Sequence, residues 1–134
     1  IILPLHPRTK KMMPLTLGES FAKKIENNPN IEIIEPVSFL DMIYLETNSK
    51  LILTDSGGVQ KEAYYLEKPC VILRPQTEWV EIVECGNAAI ADADYNKIIT
   101  SVEGYINNPP THYPKIFGDG YAGKFICQEI IKCL

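Results

Sequence analysis

Histidine and tryptophan are scarce in this chain, with two and one among 134 residues, and cysteine is limited to four. Cys70, Cys85, Cys127 and Cys133 form no C-x-x-C pair, and Cys70 lies inside the apolar run 70–73. This spacing argues against a zinc site and for free thiols in a reducing compartment. No other ligand cluster is visible, so neither a metal nor a cofactor is expected. Positive charge is not in excess: the net charge of -4 argues against nucleic acid as the main partner. No apolar run is long enough to span a bilayer and no signal-peptide pattern is visible, so a cytoplasmic protein without a membrane partner is expected. An initiating Met is absent too. The chain opens on Ile-Ile-Leu-Pro-Leu, which reads as a strand already under way and as part of a longer protein.

What is present is ordinary for a folded domain: 46% hydrophobic and 22% charged residues, enough for a core. Short apolar runs alternate with helical patterns, the signature of an α/β protein with a parallel sheet flanked by helices. Strands are expected over 1–5, 31–34, 51–54, 70–73 and 88–91. Helices are expected over 15–25, 38–47, 59–66, 81–84 and 98–106. A last amphipathic helix carries Ala122, Phe125, Ile126 and Ile130. Neither internal repeats nor low-complexity tracts appear.

The stretch 51–63, Leu-Ile-Leu-Thr-Asp-Ser-Gly-Gly-Val-Gln-Lys-Glu-Ala, is the most informative. An apolar strand ends at Thr54-Asp55, and Ser56-Gly57-Gly58 turns the chain into a helix. A helix that starts on two glycines exposes its first N–H groups with no side chain in front of them. With the helix dipole they favour an anion, most often a phosphate. Glu62 follows Gly58 by one turn on the same face. Its carboxylate can accept hydrogen bonds from a diol, such as the ribose of a nucleotide. The same pattern also serves as plain connection chemistry, with Ser56 as N-cap. Ligands of open parallel sheets bind outside the carboxyl ends of the strands. Four polar or Gly-rich segments fall at that edge: 6–9, 35–38, 55–58 and 74–78.

Together Pro4-Leu-His-Pro-Arg-Thr9, Leu53-Thr-Asp-Ser-Gly-Gly-Val-Gln-Lys-Glu-Ala63, Leu73-Arg-Pro-Gln-Thr-Glu78 and Phe117-Gly-Asp-Gly120 resemble the C-terminal half of non-hydrolysing UDP-N-acetylglucosamine 2-epimerases. The four blocks occur in matching order along the whole chain. The resemblance implies one Rossmann-like half of a glycosyltransferase-B-type enzyme, with the substrate between two domains and UDP held mainly by this one. It implies that Ser56, Gly57 and Gly58 contact the diphosphate, Glu62 the ribose, and Val37 and Met42 the uracil. It places His6 and Arg8 in a segment that helps bind a second UDP-sugar as allosteric activator. The implied reaction removes the C2 proton, expels UDP to give a glycal, and re-adds UDP with C2 inverted. Its product serves cell-surface polysaccharide synthesis, and the whole enzyme is a homodimer.

Two departures accompany the resemblance. Bacterial-type members carry Thr-Glu-Arg-Pro-Glu, whereas this chain reads Thr77-Glu78-Trp79-Val80-Glu81. The cation is lost or passes to a neighbour such as Arg74, and the Trp form resembles a branch that includes enzymes for modified UDP-sugars such as diacetamido uronic acids. The acid and base carboxylates belong to an N-terminal domain missing here, so this chain alone is expected to be inactive. A first, central strand is also expected to be missing. The strands at 1–5 and 51–54 would then close on each other or take a strand from another chain.

Alternatives stay open at several positions. His6 is either a functional residue or a cap, and Arg74 with Glu78 is either functional or a surface ion pair. Trp79 is either core or a stacking surface. Asp119 is expected to fix a turn, and His112 is assigned no role. The competing functions are a related glycosyltransferase or hydrolysing epimerase, and a non-catalytic UDP-sugar-binding module.

Overall fold

The structure, a computed structural model, describes residues 1–133 and divides into two compact units, Ile1–Leu45 and Glu46–Leu134. The first unit holds β1 (Ile2–Pro4), α1 (Pro7–Leu17), α2 (Glu19–Glu26), β2 (Glu32–Ile34) and most of α3 (Phe39–Thr47). Strands β1 and β2 pair in parallel, with Ile2 opposite Glu32 and Pro4 opposite Ile34. Leu5, Met13 and Ala22 form the core of this unit, with Leu3, Ile25 and Ile33 against it.

The single helix expected over 15–25 is two helices. Pro7 supplies the fixed φ of a first helical residue, so α1 begins where a loop was expected, over 6–9. The interior Pro14, which reads as a helix breaker, is accommodated within α1. The break comes instead at Gly18, whose φ of 81° lies in a region that side-chain-bearing residues avoid.

The second unit holds β3 (Ile52–Thr54), α4 (Gly57–Tyr65), β4 (Cys70–Ile72), α5 (Val80–Glu84), β5 (Ala88–Ile90), α6 (Tyr95–Asn107) and α7 (Ala122–Lys132). Its sheet is parallel in the order β3-β4-β5. Strand β4 is central and buried along its whole length, which is why it reads as an uninterrupted apolar run. Ile52, Ala63, Tyr64, Cys70, Ile72, Ile82 and Ala88 make the core. The segment after α6 returns over α4: the Tyr64 hydroxyl donates to the Pro114 carbonyl, and Tyr113 and Phe117 meet the Tyr64 ring edge-on. Asn87, 1% exposed, donates to the His112 carbonyl at 3.0 Å, so His112 serves through its backbone.

The described strands form two parallel sheets, β1-β2 and β3-β4-β5, flanked by helices as expected. Among the described residues β1 pairs with β2 within the first unit, and β3 with β4 within the second. Each keeps one open edge. Among the described residues no helix is long and apolar enough to cross a membrane.

Ile72 is fully buried in β4, while Leu53, one strand over, is 45% exposed. Ile72→Ala is expected to cost about 2–5 kcal/mol in urea unfolding followed by circular dichroism, and Leu53→Ala markedly less.

Candidate functional site

The site grows from the turn between β3 and α4. The Ser56 N–H donates to Thr54 Oγ1 at 3.0 Å, and Ser56 Oγ accepts from the Val59 N–H at 3.5 Å. Ser56 is thus the N-cap of α4. Gln60 N–H reaches the Ser56 carbonyl at 3.2 Å, the first bond of the helix. Among the described residues nothing accepts from the N–H groups of Gly57 and Gly58, which lie too early in α4 for an intrahelical partner. Two orphan donors at the positive end of a helix dipole are suited to an anion.

The loop after β4 is stitched to this turn. Trp79 Nε1–H donates to the Gly57 carbonyl at 2.8 Å. Thr77 Oγ1 accepts from the Trp79 N–H at 3.0 Å and donates to Gln60 Oε1 at 2.5 Å. Gln60 is wholly buried, so this link is sheltered from water. Trp79 also packs on the core, its ring 5.5 Å from that of Phe117, with Lys61 Nζ 4.3 Å from its centroid. Of the two readings of Trp79, the structure selects core, with its indole N–H as a tie to the glycine turn.

Arg74 and Glu78 form a bidentate pair, Nη2 to Oε1 at 2.8 Å and Nη1 to Oε2 at 3.2 Å. The pair lies beside the start of α4: a Cβ on Gly57 would stand 3.1 Å from Glu78 Oε2 and 3.8 Å from Arg74 Nη1. A Cβ there would require the Glu78 carboxylate to give by a few tenths of an ångström. The hydrogen bond from Arg74 lowers the Glu78 pKa, and the same bond raises that of Arg74, with a smaller contribution from Asp55. Both side chains are solvated, so the pair adds little stability. Its consequence is that a guanidinium is held beside Gly57, at the start of α4.

Ser56, Gly57, Gly58 and Arg74 are therefore brought together, with Glu62 one turn further along α4. His6, Arg8, Val37 and Met42 belong to the first unit. His6 caps α1, its Nδ1 accepting from the Arg8 N–H at 3.2 Å, and Arg8 is exposed. Val37 precedes α3, and Met42 is a half-buried residue of that helix. Asp119 fixes a turn as expected, accepting from the Tyr121 N–H at 3.0 Å. Sequence reasoning missed the Gln60–Thr77–Trp79 tie. The only available signal was an amide-bearing residue at a helix position that the fold buries.

These features define an α/β protein with a glycine turn at a helix N-terminus, suited to an anion, and a carboxylate one turn further along the same helix. The family model for UDP-N-acetylglucosamine 2-epimerase matches residues 1–131, and the chain belongs to that family. It is 47% identical over 131 residues to a UDP-N-acetylglucosamine 2-epimerase homolog of Methanococcus maripaludis, covering 97% of this chain and 35% of that protein. It is 39% identical to the UDP-2,3-diacetamido-2,3-dideoxy-D-glucuronate 2-epimerase of Pseudomonas aeruginosa, covering 98% of this chain and 35% of the relative. The structure of UDP-GlcNAc 2-epimerase from Methanocaldococcus jannaschii superposes with a TM-score of 0.85 at 41% identity, covering 98% of this chain and 36% of the other. The same enzyme in complex with UDP-GlcNAc and UDP superposes with a TM-score of 0.82 at 42% identity, covering 98% and 35%. The chain thus spans about a third of the length of the relatives it matches.

Glu46, near the end of α3, is a second residue that the sequence did not single out. It is 4% exposed, and neither carboxyl oxygen has a hydrogen-bond donor. Burial, then the charge and the hydrogen-bonding contact of Glu62, push its pKa up from 4.5 to about 7. Such a group binds its proton in the folded chain at pH values where the unfolded chain has released it. Its contribution is neutral below pH 4.5 and becomes a full penalty above pH 7. Folding stability is expected to fall by at most about 3 kcal/mol across that window through this group. In urea titrations at pH 5 and pH 8, Glu46→Gln should remove this part of the pH slope.

Proposed function

We infer that this chain is the UDP-binding, C-terminal part of a UDP-sugar 2-epimerase. The observation that carries the reading is the pair of unpartnered N–H groups of Gly57 and Gly58, in a turn whose first glycine lies beside the Arg74 guanidinium. Family membership makes a uridine diphosphate the fitting anion. In this reading Ser56, Gly57, Gly58 and Arg74 hold the diphosphate and Glu62 accepts from the ribose hydroxyls. Val37 and Met42 border the uracil. His6 and Arg8 serve a second, activating UDP-sugar, with His6 Nε2 as the atom left by its capping bond.

The chemistry follows from where charge develops. A base removes the proton at sugar C2, the C1–O bond breaks, and its electron pair leaves with UDP, giving a glycal. UDP then adds back to C1 while C2 takes a proton on the opposite face. The diphosphate gains negative charge as it departs. Fixed N–H donors and a guanidinium stabilise the departing state more than the bound ground state. The carboxylates that move the C2 proton are assigned to the remaining part of the enzyme, so this chain alone has no epimerase activity. The whole enzyme is a cytoplasmic homodimer that converts UDP-GlcNAc to UDP-ManNAc for polysaccharide synthesis. The relative from Pseudomonas aeruginosa supports a second substrate, a UDP-diacetamido-uronic acid, because its similarity is also high.

Isothermal titration with UDP, UMP and uridine tests the reading. UDP is expected to bind more tightly than UMP, and uridine least. Arg74→Ala is expected to weaken UDP roughly 10–100-fold, the scale of a lost charge-assisted hydrogen bond, with little change for uridine. Equal affinities for UDP and uridine in the unaltered chain would contradict the reading.

A further inference from the structure

The carboxyl group of Glu46 has no place in the site as described, yet it is buried against the residue assigned to the ribose. Both of its oxygens are shut off from water and meet no donor. An ionised carboxylate in that position has nothing to compensate its lost hydration. Its polar neighbours are Glu62 on α4 and Cys70 on β4. Cys70 is 1% exposed, and burial first, then Glu46, pushes its thiol up to about 12. It therefore brings no charge to the cluster. The remaining contact is carboxyl to carboxyl, and two acceptors bond only when one carries a proton.

We propose that Glu46 is a positioning residue for Glu62: as the neutral acid it donates a hydrogen bond to one Glu62 oxygen and leaves the other set for a vicinal diol. A free glutamate on α4 would sample several rotamers, and ordering it on binding would cost affinity. A donor fixed on α3 orders it in advance. When Glu46 loses its proton, the bond becomes a repulsion between like charges, and Glu62 is released. The grip on the diol is thus coupled to protonation near neutrality, in the direction of tighter binding at lower pH. This inference rests on the assignment of Glu62 to the ribose.

The test compares UDP with 2′-deoxy-UDP, which has lost one hydroxyl of the diol, by titration calorimetry of the whole chain between pH 6 and 8.5. The expected preference for UDP is strong at pH 6 and shrinks roughly tenfold by pH 8.5, the scale of one lost hydrogen bond to a charged group. Glu46→Gln, whose amide remains a donor at every pH, should hold the preference flat. Glu46→Met should lose it throughout. A preference that is pH-independent and equal in the unaltered chain and E46Q overturns the positioning role while leaving the UDP site intact. Failure of both nucleotides to bind at any pH overturns the UDP reading and this inference with it. Carbon-detected titration of the glutamate carboxyls needs no variant: one carboxyl titrating near pH 7 supports the shared proton, and all titrating near the ordinary value overturn it.

Discussion

The tie between the Trp79 indole and the Gly57 carbonyl is the constraint on which the site depends. A glycine turn is loose by nature, since glycine gains nothing from side-chain packing and has the most backbone freedom to lose. Here that freedom is removed from outside the turn. Trp79 holds the carbonyl, Thr77 holds Trp79, and the buried Gln60 holds Thr77. Strand β4, buried along its length, fixes where the loop begins, and α5 fixes where it ends. The glycine turn is therefore tied to the core beneath it.

The same tie explains how a tryptophan can stand where bacterial-type relatives, by the resemblance, carry arginine. Trp79 contributes no charge, but it seats the loop on which Arg74 and Glu78 lie. Glu78 turns the guanidinium into a fixed element beside Gly57. Carboxylate and anion then compete for one cation. In the proposed function, an incoming diphosphate with more charge and more acceptor oxygens would have the advantage over a solvated glutamate.

Much of this was legible in the residues. Alternation of apolar runs with helical patterns located all five strands, because parallel strands are bounded by Gly, Pro and Asn turns that cannot be helical. The Ser56-Gly57-Gly58 turn and its cap were legible because capping is local chemistry. Helix α1 was not, because Pro14 is a breaker in most contexts and nothing local says that this helix tolerates it. The pairing of β1 with β2 and the order β3-β4-β5 were not read from the residues, since strand order is set by long-range packing. Glu46 escaped for a related reason: in the sequence it belongs to a polar helix end, and only the tertiary fold buries it beside Glu62.

The most direct test of the central claim is the amide spectrum of the isotope-labelled chain during titration with UDP, with ADP as control. The account predicts saturable shifts at Gly57 and Gly58, whose N–H groups would gain acceptors, with UDP but not with ADP. A folded chain in which neither glycine moves with UDP, or in which both move equally with ADP, would contradict it.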